Sequence, residues 1–516
     1  MIPLINSPMG TLSISKTFLH TEDLQSFLVA PGKVRLTPDA HQAIKKSHQN
    51  LKVLLASGIH IYGVNTGFGK LSKVSIPESD QKQLQLNLVR SHSAGVGKPF
   101  DSGITRLIMI LKLMTFAQGY SGVRPAVAKQ LIEFINHDIL PVIPRQGSVG
   151  ASGDLAPLAH LAMGLIGEGD VHFQDRIMPA LVAIKEAGLN PLELEAKEGL
   201  AMINGTQVSA ALGIKALLAA DNILKTADIS GAMSVEASLS SRNVFEAKIH
   251  KLKKHPGQIE SAGNVWRLLE KSAIVDDHAD CDRIQDPYSF RCIPHVHGAS
   301  RELYKSAKDI VENEANSISD NPLIFSNKEI RSSGHFHAEA VAQALDILSI
   351  SISEIGAISE RRINYFMKGI DDKIPMFVAH DPGLESGFML AQVTAAALAS
   401  ENKTLAHPAS VDSISTSAGQ EDLVSMAPWA GRKCLSIIEN VTQILAIELY
   451  VAATATAEFH KGLQPGVGSK KVLNLLKRYI RLSKGDHPLH EDMATIAGLI
   501  RSGKIVDSVI KSVKLE

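Results

Sequence analysis

Gly147-Ser148-Val149-Gly150-Ala151-Ser152-Gly153 stands directly before an apolar helical stretch that opens at Asp154. Glycines at a helix start serve tight turns or phosphate loops, and a serine among glycines can be a hydrolase nucleophile. A G-x-S-x-G elbow would need glycine at 154, where Asp154 stands, and no strand-like run leads into Ser152. The other glycine segments fail as nucleotide loops. In Gly63–Lys70 the first P-loop glycine is replaced by Val64, and Leu71 follows Lys70 where Ser or Thr is required. In Gly164–Gly169 the glycines run in the reverse order of a dinucleotide fingerprint. The tripeptide Ala151-Ser152-Gly153 remains, and alone it reads as a turn capping the following helix.

The elements that must position it are mostly helices. Val341, Leu345, Leu348, Ile352 and Ile355 recur at steps of four and three, the seam of a long helix. Segments 203–228, 386–404 and 436–462 are similar and alanine-rich, which lets long helices approach closely. Thr37-Pro38 opens another helix as N-cap and first-turn proline, and 58–64 reads as a short strand feeding a glycine turn. The expectation is a mainly α protein on a long helical bundle. A composition shift near residue 200 divides a smaller, loop-rich part (1–200) from the bundle part (201–516).

Composition narrows the function class. Lys+Arg and Asp+Glu both total 53, so no net charge points to nucleic acid. No uncharged apolar run reaches the roughly 18 residues of a membrane span, and the first residues lack the pattern of a signal peptide. The three cysteines, Cys281, Cys292 and Cys434, are sparse and lack metal-ligand spacing, which fits a reducing cytoplasm.

The whole run GSVGASGDLAPLAH (147–160) resembles the signature of the aromatic amino acid ammonia-lyases, within them the branch acting on histidine. The resemblance implies that Ala151-Ser152-Gly153 cyclises and dehydrates to 4-methylidene-imidazol-5-one, an electrophile made from the chain itself, with no external cofactor and no metal. The residue types suit this. The Gly153 nitrogen must reach the Ala151 carbonyl, a contact that any side chain at 153 would obstruct. The Ser152 hydroxyl then leaves as water. N–H groups at the start of the helix after Asp154, if turned to the ring, would stabilise an enolate.

Other segments appear in family order, from about residue 30 to 500. IYGVNTGFGK (61–70) resembles the loop whose tyrosine, here Tyr62, removes the substrate proton. Ser91-His92 falls where the family selects its substrate ring, and Asn204 where it contacts the prosthetic group. QDPYSFRC (285–292) supplies Gln285, Tyr288 and Arg291, the last as carboxylate binder, a task suited to the guanidinium fork. Phe336 matches a phenylalanine over the prosthetic group, and Gln420-Glu421 is the pair typical of histidine enzymes. A carboxylate at Glu421 can accept an imidazole N–H. Two departures, His295 and His335, add histidine near the expected pocket.

The resemblance implies a bundle of the fumarase/aspartase type and a homotetramer whose active sites are shared between subunits. It also implies deamination of a small substrate, L-histidine, to trans-urocanate and ammonia, the first step of histidine degradation, in the cytoplasm. A tyrosine ammonia-lyase or an aminomutase with the same prosthetic group is the near alternative. From another class, His295-x-His297, His335-x-His337 and Asp276-Asp277-His278 raise a metallohydrolase. A third alternative is a non-enzymatic scaffold that never forms the electrophile.

Overall fold

The structure is a computed structural model that describes residues 10–278, 283–482 and 485–516, so Cys281 and the first nine residues lie outside it. Helix α1 (Pro38–Ala56) begins with its proline in the first turn as expected, although the Thr37 hydroxyl donates to the Ile14 carbonyl and leaves the helix uncapped. Helix α2 (Gln81–His92) leads to a strand, Val96–Pro99, paired antiparallel with Pro144–Gln146. That pairing delivers the chain at Gly147, beside the end of α2. Helix α3 (Ser102–Ala117) is buried nearly all round, and α4 (Leu155–Leu165) follows the glycine run. The short α5 (Glu198–Ile203) precedes α6 (Gln207–Ala237).

Beyond it, α6 packs with α7 (Ile293–Ala315), α8 (Glu339–Met367) and α10 (Ala427–Phe459) as a long bundle, with α9 (Met389–Leu405) laid on α8 and α10. The stripe Val341, Leu345, Leu348, Ile352 and Ile355 is fully buried in it. Small residues set the spacing: a Cβ on Gly356 would stand 2.9 Å from Val441, and one on Gly213 2.9 Å from Val311. One continuous apolar core runs from Ile14 to Val513, so residues before and after 200 share it.

The bundle interior also holds paired charge. Glu448 on α10 accepts from Ser230 and Ser234 of α6 and from Ser359 and Arg362 of α8. Asp228 takes His297 at 2.8 Å and Arg301 at 2.6 Å, which hold its carboxyl well below the usual range against the cost of burial. Helices α6, α8 and α10 have the length and apolar composition of membrane-spanning segments, yet 78%, 72% and 72% of those windows are buried within the protein.

The expected strand at 58–64 is not formed. The Asn65 side chain accepts from the Ile61 N–H at 2.6 Å and donates to the Ile59 carbonyl at 2.8 Å, taking backbone groups that a strand partner would need. Gly58 and Gly63, both at positive φ, complete a turn there.

Candidate active site

The glycine run is gripped from two sides. On one, the Asp154 N–H donates to the Gly205 carbonyl at 2.8 Å, and Gly153 bridges Gly205. On the other, the Met426 N–H donates to the Val149 carbonyl at 2.8 Å and the Ser425 hydroxyl to the Gly150 carbonyl at 2.9 Å. Gly147, Gly150 and Gly153 all have positive φ. A Cβ on Gly150 would lie 2.2 Å from Ser425 Oγ, and one on Gly153 2.1 Å from the Gly205 oxygen. The backbone is thus folded more tightly than side chains would allow. Residues 151–153 in such a vice fit a segment that has to close on itself.

Asp154 anchors the following helix from below. Its buried carboxylate accepts from the Ser209 N–H and hydroxyl and from Ser148, yet burial pushes it up to about 6. Because the Asp154 N–H is spent on Gly205, only the N–H groups of Leu155 and Ala156 are left at that helix start; Pro157 has none.

Above the run lies a cavity of about 940 Å³. Ala151, Ser152, Tyr62 and His92 line it, as do Asn204, Phe336, Gln420 and Glu421. Eight residues drawn from six separated stretches of sequence therefore meet around one space. A second cavity, about 980 Å³, lies at Phe100, Lys215, Trp429 and Arg432 and contains none of the residues singled out from the sequence.

Ser152 Oγ donates to Glu421 Oε1 at 2.8 Å, while Oε2 accepts from the Thr416 and Ser417 hydroxyls, each at 2.7 Å. The turn carrying Glu421 has Ser417, Ala418 and Gly419 in succession at positive φ. Two of these are not glycine, a local cost of about 1 kcal/mol each that the surrounding contacts offset. The Tyr62 oxygen accepts the Gly69 N–H at 3.0 Å, and its ring meets Phe68 edge-on. Buried Gln85 ties this loop to α5, donating to the Gly63 carbonyl and accepting from the Leu200 N–H, each at 2.9 Å.

His92 Nδ1 lies 2.9 Å from the Leu88 carbonyl, which can only accept, so Nδ1 carries the proton and Nε2 is left as an acceptor. Burial lowers its pKa against the pull of that carbonyl and of Glu421, favouring the neutral ring. Asn204 donates to the Asn321 carbonyl at 3.0 Å, which fixes the plane of its amide.

Gln285, Tyr288 and Arg291 do not join this cavity within one chain. They sit just before α7, Tyr288 and Arg291 at the two ends of a short helical turn, with Tyr288 72% exposed and the Arg291 guanidinium 4.7 Å over its ring. Arg291 Nε has no hydrogen-bond partner among the described residues. His295 and His335 also lie off the cavity: His295 packs edge-on against His250, whereas His337 lines the site and contacts the Leu423 carbonyl at 3.2 Å. His297 is committed to Asp228, and no three metal-ligating side chains cluster among the described residues. The paired histidines are thus held apart on different partners among the described residues.

A profile of the aromatic amino acid lyases matches residues 19–478. The chain belongs to the aromatic amino acid lyase family. It is 48% identical to the histidine ammonia-lyase of Photorhabdus laumondii over 458 residues, 88% of this chain and 89% of that one. Against the histidine ammonia-lyase of Gloeobacter violaceus it is 44% identical over 493 residues, 95% and 96% of the two chains. The crystal structure of histidine ammonia-lyase from Trypanosoma cruzi superposes with a TM-score of 0.90 at 36% identity, covering 98% of this chain and 96% of that one. Tyrosine aminomutase from Streptomyces globisporus superposes with a TM-score of 0.92 at 33% identity, over 98% and 100%.

Proposed function

We propose that this member of the lyase family eliminates ammonia from L-histidine without oxidation, giving trans-urocanate. The observation that carries the reading is the Ser152–Glu421 contact of 2.8 Å in a cavity that also holds Tyr62 and His92. It joins a tripeptide able to become an electrophile to a carboxylate and an imidazole able to recognise another imidazole.

Ala151, Ser152 and Gly153 would supply 4-methylidene-imidazol-5-one, the electrophile that lets ammonia, a poor leaving group, depart from the substrate. The strained grip on Gly150 and Gly153 supports that assignment. Tyr62, whose oxygen accepts the Gly69 N–H, removes the β-proton of the substrate. Glu421 accepts the substrate imidazole N–H and steadies its positive character, and neutral His92 accepts through Nε2. Asn204 and Phe336 flank the reacting group, and Gln420 lies beside Glu421 at the rim.

Gln285, Tyr288 and Arg291 complete the site from a neighbouring subunit, with Arg291 gripping the substrate carboxylate. The exposure of Gln285 and Tyr288 in the single chain supports a homotetramer with shared sites. So does α9, an apolar helix with Leu390 57% and Val393 51% exposed. The equal charge totals and the unpaired Cys292 and Cys434 favour a cytoplasmic enzyme whose partners are small amino acids rather than nucleic acid or membrane.

An ultraviolet assay of the purified protein with L-histidine, L-tyrosine and L-phenylalanine in parallel tests the reading, because each elimination product is a conjugated acid with its own absorbance. A rise with histidine alone is expected. A rise with tyrosine would retain Ser152 and overturn the roles of His92 and Glu421, the outcome that the likeness to a tyrosine aminomutase makes worth testing.

A further inference from the structure

Gly205 forms the wall behind Gly153, and a buried lysine holds that wall in place. Lys112 is the lone charge in the run LIMILKLMTF (107–116) on α3 and is fully buried. Its Nζ donates to the Ala201 carbonyl at 3.1 Å and to the Asn204 carbonyl at 2.6 Å. These oxygens lie at the C-terminal end of α5, where a cation complements the helix dipole. The next residue is Gly205, at φ +120, whose oxygen accepts the Asp154 N–H and would meet a Cβ on Gly153 at 2.1 Å.

The charges facing Lys112 come from three other elements. Asp320 stands beside it and pairs with Lys197 through both oxygens at 3.0 Å, and Asp154 lies at the start of α4. Burial is the largest influence on Lys112 and brings it down to about 7, against Asp320 and Asp154 and with Lys197. Charged or neutral, a primary amine keeps two N–H donors for the two carbonyls.

We propose that Lys112 is a positioning residue for backbone cyclisation: by pinning the end of α5 it sets Gly205 against Gly153 and so drives the Gly153 nitrogen onto the Ala151 carbonyl carbon. This rests on the reading of Ala151-Ser152-Gly153 as the precursor of the prosthetic group. In the closure a bond forms between the Gly153 nitrogen and the Ala151 carbonyl carbon. The Ala151 oxygen leaves as water, taking the amide hydrogens of Gly153 and Ser152, and a double bond forms from that carbon to the Ser152 nitrogen. A second water carries off the Ser152 hydroxyl with its Cα hydrogen. Neither step needs an oxidant or a co-reactant.

The test is the mass of the folded, soluble protein and of its fragment spanning Ala151–Gly153, for wild type, Lys112→Met and Lys112→Gln, with unfolding temperatures measured alongside. Wild type should lack two waters. Folded Lys112→Met should retain at least one water in most molecules, and Lys112→Gln, which keeps one donor group, should be intermediate. A purely structural role would lower the unfolding temperature and leave the mass of the folded molecules unchanged. Folded Lys112→Met as fully dehydrated as wild type would therefore overturn the proposal; if that variant does not fold, full dehydration of Lys112→Gln would do so. A wild-type protein that keeps both waters would instead sink the underlying reading of the tripeptide.

Discussion

Ser152 and Glu421, 269 residues apart in sequence, share a hydrogen bond of 2.8 Å across the cavity. The other Glu421 oxygen is held by Thr416 and Ser417, so the carboxylate faces the tripeptide in a fixed orientation before any substrate arrives. Preorganised acceptors of this kind cost little to align during the reaction.

Replacing Ser152 removes the hydroxyl whose loss, on the proposed cyclisation, would create the electrophile, and little else. Ser152→Ala should fold with near-normal stability and lose turnover by about 10³-fold or more, the scale of deleting a principal catalytic group. Steady-state rates with histidine, beside a denaturant unfolding curve, check both halves; normal turnover would sink the assignment.

Glu421→Gln keeps the shape and removes the charge. Losing a charge-assisted hydrogen bond of about 1.5–3 kcal/mol predicts a drop of roughly 10- to 150-fold in kcat/KM for histidine. Binding of phenylalanine as a competing ligand, which has no ring N–H to offer, should weaken less. Equal losses in histidine turnover and in phenylalanine binding would show that the Glu421 carboxylate does not read the imidazole N–H.

His92 is held neutral by burial. Its folded pKa lies below the ordinary value near ~6.5, so its contribution to stability is present above that value and is lost as pH falls through the lowered one. The kcat/KM profile for histidine should fall on the acid side below about pH 6.5, as Nε2 gains a proton and ceases to accept. His92→Gln, which cannot titrate, should lose that limb; an unchanged profile would assign it to another group.

Gly153→Ala would place a methyl group 2.1 Å from the Gly205 oxygen at a φ of +75. The conformational penalty and the contact together should cost at least about 2 kcal/mol, and any folded protein should lack the prosthetic group. Chemical denaturation and near-ultraviolet absorbance measure the two effects separately.

Arg362 and Glu448 are both fully buried. Arg362→Met alone would strand the carboxylate and should cost about 3–5 kcal/mol, whereas Arg362→Met with Glu448→Leu should recover most of that loss. A denaturant double-mutant cycle decides; equal losses in single and double variants would show that the pair acts through shape alone.

Much of the cavity lining was legible in the sequence because the resemblance carried residues in family order, Tyr62, His92, Ser152 and Glu421 among them. The bundle was legible for a different reason, since the stripe from Val341 to Ile355 can be buried only as a helix seam. Helix ends were less so. The run expected at 436–462 spans Ala427–Phe459, because Pro428 is tolerated in a first turn, and α6 continues past 228 because Ser230, Ser234 and Glu236 find buried partners. The turn at 58–64 carries a strand-like β-branched pattern, which takes no account of the reach of the Asn65 side chain. Gln85, Lys112 and Ser425 were missed altogether, since they act on backbone rather than on substrate. Only Lys112, a lone charge among apolar neighbours, left a trace in the sequence.

The two-sided grip on the glycine run also sets a clock. One jaw, Gly205 and Ser209, emerges soon after residue 153, but the other, Glu421 to Met426, is among the later parts of the chain to be made. At ~5–20 residues per second, translation separates Ser152 from Glu421 by roughly 13–54 s. On the proposed cyclisation, a nascent chain would carry an unmodified tripeptide until its distant half had docked, and the modified backbone would be a chemical stamp of completed folding. Truncated or misassembled chains would then go unstamped and inert, so that lyase chemistry would begin only in molecules that had already passed inspection.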